Sequence, residues 1–316
     1  MKNISAEEFM NTLANMVQEH YGKEVQTTIT PIAKNNGVIR IGMKIQQRGN
    51  HISPLIYMED YVDQYKEGRP IEDIVKEIVG IYDENQVDNG IVEGFTDYEK
   101  MRDKIFVKLI NMERNKTFLK NIPNYHFMDL AVVCYVKLQE CEEGEMTTMI
   151  HNNHLRAWNI KRKELFRNAM ENTRKVEKPQ VMDMSKVLRK IAESMGIDSE
   201  NIPEDMYDET IELYVLTNQS GYNGAVSFLL PDVLKNFADR IESDVVILPS
   251  SVHEVLLLKR GSDTSCEELK EMVQEINADQ VAEEERLSNN IYIYMKDSGK
   301  ISIVGESEEM DMMQIL

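Results

Sequence analysis

DVVILPSSVHEVLLL, residues 244–258, contains two apolar runs separated by a short polar segment that follows Pro249. Short runs of Val, Ile and Leu that are bounded by Pro and Ser are typical of buried β-strands. Proline lacks the main-chain N–H that a strand donates to its neighbour, which favours the end of the first strand at this point. The stretch therefore predicts a strand, a turn and a second strand.

The residues around this stretch continue the pattern of strands and helices. Asn223-Gly224 is a common hairpin pair, so we expect the strand IELYVLTN to turn in QSGYNG and return as AVSFLL. The spacing of apolar residues also predicts two helices and a hairpin. They are DVLKNFADRIES (232–243), CEELKEMVQEINADQ (266–280) and the hairpin NIYIYMKDSGKISIV (290–304).

The first half of the chain has similar signals. Ser5 and Glu8 have the capping-box spacing of a helix start, and Asn35-Asn36-Gly37 predicts a hairpin turn. A helical pattern begins at Leu55 and another follows Pro70. The next predicted elements are the strands KIFVKLIN (104–111), DLAVVCYVKL (129–138) and MTTMIH (146–151), and the helical region HLRAWNIKRKELFRNAMENT (154–173), with Asn152 or Asn153 as its cap.

This irregular alternation predicts an α+β fold with mixed or antiparallel sheets, hairpins and flanking amphipathic helices. The chain has 316 residues, enough for two average domains, and a charged segment surrounds Pro179. We therefore expect two subdomains. The predicted organisation is an N-terminal α+β domain (1–178), a linker with an amphipathic helix (179–205), a C-terminal α+β domain (206–304) and an acidic tail (305–316).

The composition excludes several classes of partner. The net charge of -19 argues against binding to nucleic acids or to an anionic membrane surface, because both need clustered Lys and Arg. The N-terminal residues lack the apolar core of a secretion signal, and apolar runs such as LAVVCYV (130–136) are too short to cross a bilayer. The three cysteines have no paired spacing, which fits a reducing cytoplasm.

The polar segment after Pro249 supports two interpretations. Ser251, His253 and Glu254 are residue types that build a nucleophilic catalyst, but strand geometry would place Ser251 and Glu254 on opposite faces, and the G-x-S-x-G turn is absent from the sequence. Alternatively, Ser250 or Ser251 caps one turn, with Glu254 at the capping-box position. We favour the structural interpretation and keep a ligand contact or catalysis as alternatives.

The remaining motifs are weak as signals of chemistry. HEVLL (253–257) is half of a zinc-protease motif, and its second ligand position holds Leu257. His151 and His154 lie three residues apart without a nearby carboxylate or cysteine, which favours a helix start over a metal site. QSGYNGA lacks the lysine of a phosphate-binding loop. The sequence thus predicts no metal and no cofactor, and it leaves Asn218 and Tyr222 as weak binding candidates.

Several blocks carry a resemblance to a known family: ISPLIYMEDYVDQYKEG, HLRAWNIKRKELFRNAMENT, YVLTNQSGYNGAVSFLLPDVLKNFADRI, ILPSSVHEVLLL and ERLSNNIYIY. They resemble gut clostridial proteins of the domain-of-unknown-function family 5688, over about residues 9–304. The resemblance implies no activity, cofactor or catalytic residue. Our leading hypothesis is a soluble, cytoplasmic, bacterial, non-enzymatic module that binds another protein. The alternative is an enzyme, such as a hydrolase, with a non-local site that includes Ser251, His253 and Glu254.

Overall fold

A computed structural model describes residues 4–48, 55–85, 94–141, 144–187, 189, 213–230, 232–261, 265–306 and 309–311. The helices are α1 (Ala6–Tyr21), α2 (Glu59–Lys66), α3 (Ile71–Glu84), α4 (Tyr98–Met101), α5 (Lys116–Leu119), α6 (Asn152–Trp158), α7 (Arg162–Val176), α8 (Val233–Ile241) and α9 (Cys266–Asp279). The strands are β1 (Val25–Ala33), β2 (Ile39–Gln47), β3 (Leu55–Tyr57), β4 (Ile105–Asn111), β5 (Asn124–Phe127), β6 (Leu130–Cys141), β7 (Gly144–Met149), β8 (Gln180–Asp183), β9 (Leu213–Thr217), β10 (Val245–Leu248), β11 (Val255–Lys259), β12 (Tyr292–Met295), β13 (Lys300–Ile303) and β14 (Glu309–Asp311).

These strands form three antiparallel sheets in the described part of the chain. One sheet has the order β1-β2-β3, a second has β4-β6-β5 with β7 also paired to β6, and the third has β14-β13-β12-β10-β11-β9-β8. Helices accompany all of this antiparallel structure, so the predicted α+β class is confirmed. None of the helices in the described ranges is long and apolar enough to cross a membrane.

The chain divides into two compact units. The first contains Met1–Met101 and Lys137–Thr147, and the second contains Arg102–Val136 and Thr148–Leu316. The described part of the predicted linker, residues 179–187, contains the edge strand β8, and most of the rest of the linker lies outside the described residues. The domain boundaries given above stay predictions.

The first unit has its own apolar core. The Ser5 side chain accepts a hydrogen bond from the Glu8 N–H at 3.2 Å, which confirms the predicted start of α1. The hairpin of β1 and β2 turns through Asn36 and Gly37, both with positive φ, also as predicted. The fully buried core residues from these helices and strands include Leu13, Val17, Met43, Ile45, Ile74 and Ile78.

The helix predicted from Leu55 begins later than expected. Leu55–Tyr57 is the strand β3, which pairs with β2, and α2 starts at Glu59. Leu55–Tyr57 form main-chain hydrogen bonds with the edge of β2, and these hydrogen bonds favour a strand over a helix. An apolar run of three residues does not show in the sequence that such an edge lies beside it.

In the second unit, β10 and β11 lie in the middle of the seven-stranded sheet. β10 and β11 pair as an antiparallel hairpin in which Ile247 lies opposite Leu257. Every residue of β10 is buried, as expected for a strand covered on both faces. β9 pairs with β11 on one side and β8 on the other.

The predicted hairpin at Asn223-Gly224 is wrong. Residues 224–229 form a buried 3₁₀ helix, Gly224–Leu229, and do not return as a strand beside β9. Both edges of β9 are already occupied by β8 and β11, so no pairing edge is left for the AVSFLL segment. An apolar run has the same composition in a buried strand and in a buried turn of helix, and the sequence alone does not separate the two.

The C-terminal elements follow the sequence closely. Ser265 and Glu268 form a reciprocal capping box at the start of α9, with hydrogen bonds of 3.2 and 2.8 Å. β12 and β13 form the predicted hairpin. In the segment predicted as an acidic tail, Glu309–Asp311 pairs with β13 as β14, and residues 312–316 lie outside the described residues.

Candidate ligand-binding pocket

A pocket of about 370 Å³ opens where the β10–β11 turn meets two other segments of the second unit. The turn contributes three of the residues singled out in the sequence, the loop after β9 contributes a fourth, and the segment after α9 completes the wall. The lining residues are Gly221, Tyr222, Ser251, His253, Glu254, Gln280, Val281 and Glu285.

Asn218 holds the loop that carries Tyr222. Its side-chain amide donates to the Tyr222 carbonyl at 2.8 Å, and its side-chain oxygen accepts from the Gly221 N–H at 2.8 Å. The amide also donates to the buried carboxylate of Glu177 at 2.6 Å. Asn218 is itself buried, whereas Tyr222 is 45% exposed at the rim of the pocket. Asn218 thus stabilises the loop through these hydrogen bonds, and Tyr222 lines the pocket.

The start of the Gly224–Leu229 helix packs directly under the β10–β11 turn. A Cβ atom at Gly224 would lie 2.5 Å from the His253 carbonyl oxygen and 2.2 Å from Thr217 Oγ1. The Thr217 hydroxyl donates to the same His253 carbonyl at 2.8 Å. Only glycine leaves room for this close contact, so Gly224 allows the β10–β11 turn to pack against the end of β9.

The His253 ring is oriented by three neighbours. Its Nδ1 accepts a hydrogen bond from the Asn223 N–H at 3.3 Å, and its Nε2 lies 3.5 Å from a carboxylate oxygen of Glu285. The Tyr222 ring meets it edge to face, with 5.7 Å between centroids. Because Nδ1 is an acceptor, the hydrogen of the neutral ring is at Nε2, directed at Glu285.

Ser251 is buried and its hydroxyl is used within the turn. Its oxygen accepts a hydrogen bond from the His253 main-chain N–H at 2.9 Å. A capping box would need the Glu254 N–H and a helical turn, whereas Ser251 lies in an isolated antiparallel bridge with Arg286. The expected cap is therefore wrong in detail: main-chain pairing to Arg286 keeps the segment extended, and the hydroxyl closes a shorter turn.

Glu254 gives the pocket its electrostatic character. Burial raises the pKa of the Glu254 carboxyl, and the nearby Glu285 carboxylate acts in the same direction, while His253 and the Ser251 hydroxyl oppose the rise. The lining residues found in the described chain include two carboxylates and no Lys or Arg. The pocket is thus an acidic depression with an exposed aromatic ring at its rim.

The structure also places the histidine pair of the HNNH motif. His154 Nδ1 accepts from the His151 N–H at 3.1 Å, and α6 begins at Asn152 with His151 as its N-cap. The expected cap at Asn152 or Asn153 is thus wrong, because the His154 ring supplies the contact to the helix start. Burial and His151 lower the pKa of His154. Within the described ranges, no group of three or more His, Cys, Asp or Glu side chains could hold a metal ion.

Glu285, Gln280 and Val281 were not predicted from the sequence. Glu285 lies more than thirty residues beyond His253, in the run AEEERL, where a solvent-exposed charged segment is the ordinary interpretation. The Val252 N–H donates to the Glu285 carbonyl at 2.8 Å, and this pairing brings the two segments together. No local signal in the sequence marks it.

One comparison with known proteins gives a match. The model of the Family of unknown function (DUF5688) matches residues 6–296. No curated protein and no solved structure matches the chain.

Proposed function

Because the chain belongs to the Family of unknown function (DUF5688), we propose its function from the pocket itself: it is a non-enzymatic binding module that takes an arginine side chain of a partner protein into the pocket at Tyr222 and Glu285. The observation that carries the proposal is the combination of an exposed aromatic ring and two carboxylates in one depression.

A guanidinium group fits this combination of residues. It donates two parallel hydrogen bonds to a carboxylate and stacks its planar face on an aromatic ring, as an ammonium group cannot. Glu285 and Tyr222 both contact His253, at 3.5 Å from its Nε2 and with 5.7 Å between ring centroids, and all three residues line the same pocket. A bound cation would also offset the unfavourable burial of the Glu254 charge, which raises the pKa of that carboxyl in the free protein.

The geometry supports binding better than hydrolysis. A serine nucleophile needs a base that accepts its proton. The Ser251 oxygen accepts from the His253 main-chain N–H, whereas His253 Nδ1 accepts from the Asn223 N–H and His253 Nε2 lies 3.5 Å from a Glu285 carboxylate oxygen. The hydrogen bond to the buried Ser251 oxygen therefore stabilises the turn, and this supports ligand binding over catalysis at Ser251, His253 and Glu254.

The same proposal includes a cytoplasmic location in a bacterium and a protein as the partner. Cys134 and Cys266 are free thiols, which suits a reducing compartment. The net charge of -19 favours basic partners and disfavours nucleic acid.

The test is a titration with Nα-acetyl-arginine methylamide, followed by NMR of protein labelled with ¹³C at histidine Cε1. We expect a saturable shift of the His253 signal, which is assigned by its loss in His253→Gln. The citrulline analogue has the same shape without the charge, and it should bind at least about fivefold more weakly because the charge-assisted hydrogen bonds are lost.

Two substitutions locate the interaction. Glu285→Gln should weaken arginine binding about tenfold, and Tyr222→Ala should weaken it about two- to fivefold. Glu242→Gln, an exposed carboxylate of the same unit, is the matched control and should leave binding unchanged. Equal binding of arginine and citrulline, or no response of His253, contradicts the proposal.

A further inference from the structure

We infer that the arginine is carried by a basic amphipathic helix of the partner, which docks along the exposed side of α9 and ends at the pocket. This inference rests on the proposed function, and it adds the surface and the kind of partner. All the residues concerned belong to the second compact unit.

The first observation is an apolar strip on α9 that leads into the pocket. Met272 is 44% exposed and Ile276 is 40% exposed, although α9 already buries Leu269 and Val273 in the core of the unit. Met272, Ile276 and Gln280 are spaced four residues apart, so they lie along one side of the helix. Gln280 lines the pocket, and the strip therefore runs from the middle of α9 to the pocket mouth.

The second observation is the charge beside this strip. Glu271, Glu275 and Asp279 are exposed and also follow one another every four residues. They form an acidic row next to the apolar one. An apolar row flanked by carboxylates complements a helix that has leucine-like residues on one face and lysine or arginine next to them.

The third observation is that α9 and the pocket are fixed to each other. Arg286 donates from Nε to the Val281 carbonyl at 2.9 Å and from Nη2 to the Ala278 carbonyl at 3.0 Å. Its main chain pairs with Ser251 in the turn that forms the pocket. One residue thus connects the end of α9 to the pocket wall, and a ligand that spans both surfaces meets a preorganised site.

A helix suits this surface better than an extended peptide. Extended peptides gain affinity from main-chain hydrogen bonds to an open sheet edge, and the side of a helix offers no such edge. The distance from Met272 to Gln280 is eight residues, or about 12 Å along the helix axis, which corresponds to about two turns of a partner helix. A partner helix covers this distance with two apolar side chains that lie one turn apart and an arginine that lies one turn further on.

The probe is a fluorescein-labelled synthetic peptide of eighteen residues, with leucines on one helical face, lysines on the other and one arginine at their border. Its affinity is measured by fluorescence anisotropy at about 0.15 M salt, where long-range attraction between charges is largely screened. Two comparison peptides have glutamate in place of the basic residues, or two prolines that prevent a helix.

Protein variants test the surface directly. Met272→Ser with Ile276→Ser should weaken binding of the basic peptide at least tenfold, whereas Ile39→Ser, at a side chain 65% exposed in the other unit, should not. Glu271→Lys with Glu275→Lys should weaken it more than Glu7→Lys with Glu19→Lys, a pair on α1 that changes the net charge equally. Circular dichroism confirms that each variant is folded.

The outcomes separate this inference from the proposed function. If the α9 variants bind the peptide as tightly as the wild type, or if the proline peptide binds equally well, the docking inference is wrong. The response of the His253 signal to Nα-acetyl-arginine methylamide then still tests the pocket proposal independently. If the peptide binds along α9 but Glu285→Gln has no effect on peptide or arginine, the pocket proposal fails and the docking geometry with it.

Discussion

Replacing Gly224 with alanine should destabilise the second unit strongly, because the added methyl group has no space. It would lie 2.2 Å from Thr217 Oγ1, 2.5 Å from the His253 carbonyl oxygen and 2.7 Å from the Asn218 nitrogen. Contacts below 3.0 Å essentially never occur for Cβ atoms, and two of these three neighbours are main-chain atoms that cannot rotate away. The β10–β11 turn or the end of β9 must move.

The size of the effect follows from these contacts. Overpacking of a dense interior costs about 1–3 kcal/mol. Displacement of the Thr217 hydroxyl also breaks its hydrogen bond to the His253 carbonyl, which contributes about 1 kcal/mol more. We therefore expect Gly224→Ala to lower the free energy of unfolding by about 2–4 kcal/mol.

Gly221→Ala is the matched control in the same loop. Gly221 has a φ of +76° and nothing within 4 Å of an added Cβ, so this change introduces backbone strain of about 1 kcal/mol without a clash. Urea unfolding followed by the fluorescence of Trp158, the single tryptophan, compares the two variants within the second unit. A Gly224→Ala protein that is as stable as the Gly221→Ala protein would show that the turn has space for the added methyl group.

Three other predictions concern pH, nucleic acid and domain organisation. Because the pKa of Glu254 is raised, its protonated form stabilises the fold, and this stabilisation is lost as the pH rises through the folded-state pKa. Urea unfolding at about pH 4 to pH 8 should therefore show that the free energy of unfolding of Glu254→Gln rises relative to that of the wild type as the pH increases. A difference in the free energy of unfolding that does not change with pH would contradict this prediction. Duplex DNA should not bind in a gel shift at about 0.15 M salt, despite the basic stretch 156–178; sub-micromolar binding that disappears when Lys161, Arg162 and Lys163 become Glu would overturn this expectation. Limited proteolysis should first cut within residues 176–205, and first cuts elsewhere would contradict the proposed domain boundary.

The sequence predicted the elements whose signals are local. Ser5 and Ser265 cap their helices through residues three positions away, and the Asn36-Gly37 turn uses two neighbouring residues that tolerate positive φ. The helical region predicted at residues 154–173 covers most of α7, in which Leu165, Phe166 and Ala169 are buried on one face.

The features that were missed depend on contacts between distant residues. The AVSFLL segment forms a 3₁₀ helix because β8 and β11 occupy both edges of β9, and sequence spacing does not show which edges are taken. The pocket has the same origin. Asn218 meets Glu177 across 41 positions, and Ser251 pairs with Arg286. The candidate residues were found by residue type, but Glu285 and the end of α9 could not be added without the fold.

The most direct measurement of the central claim is a crystal structure of the protein soaked with Nα-acetyl-arginine methylamide. We expect a guanidinium group with its nitrogens about 2.7–2.9 Å from the Glu285 carboxylate and its plane within about 6 Å of the Tyr222 ring centroid. A ligand that binds elsewhere while the pocket at Tyr222 and Glu285 holds only solvent would contradict it.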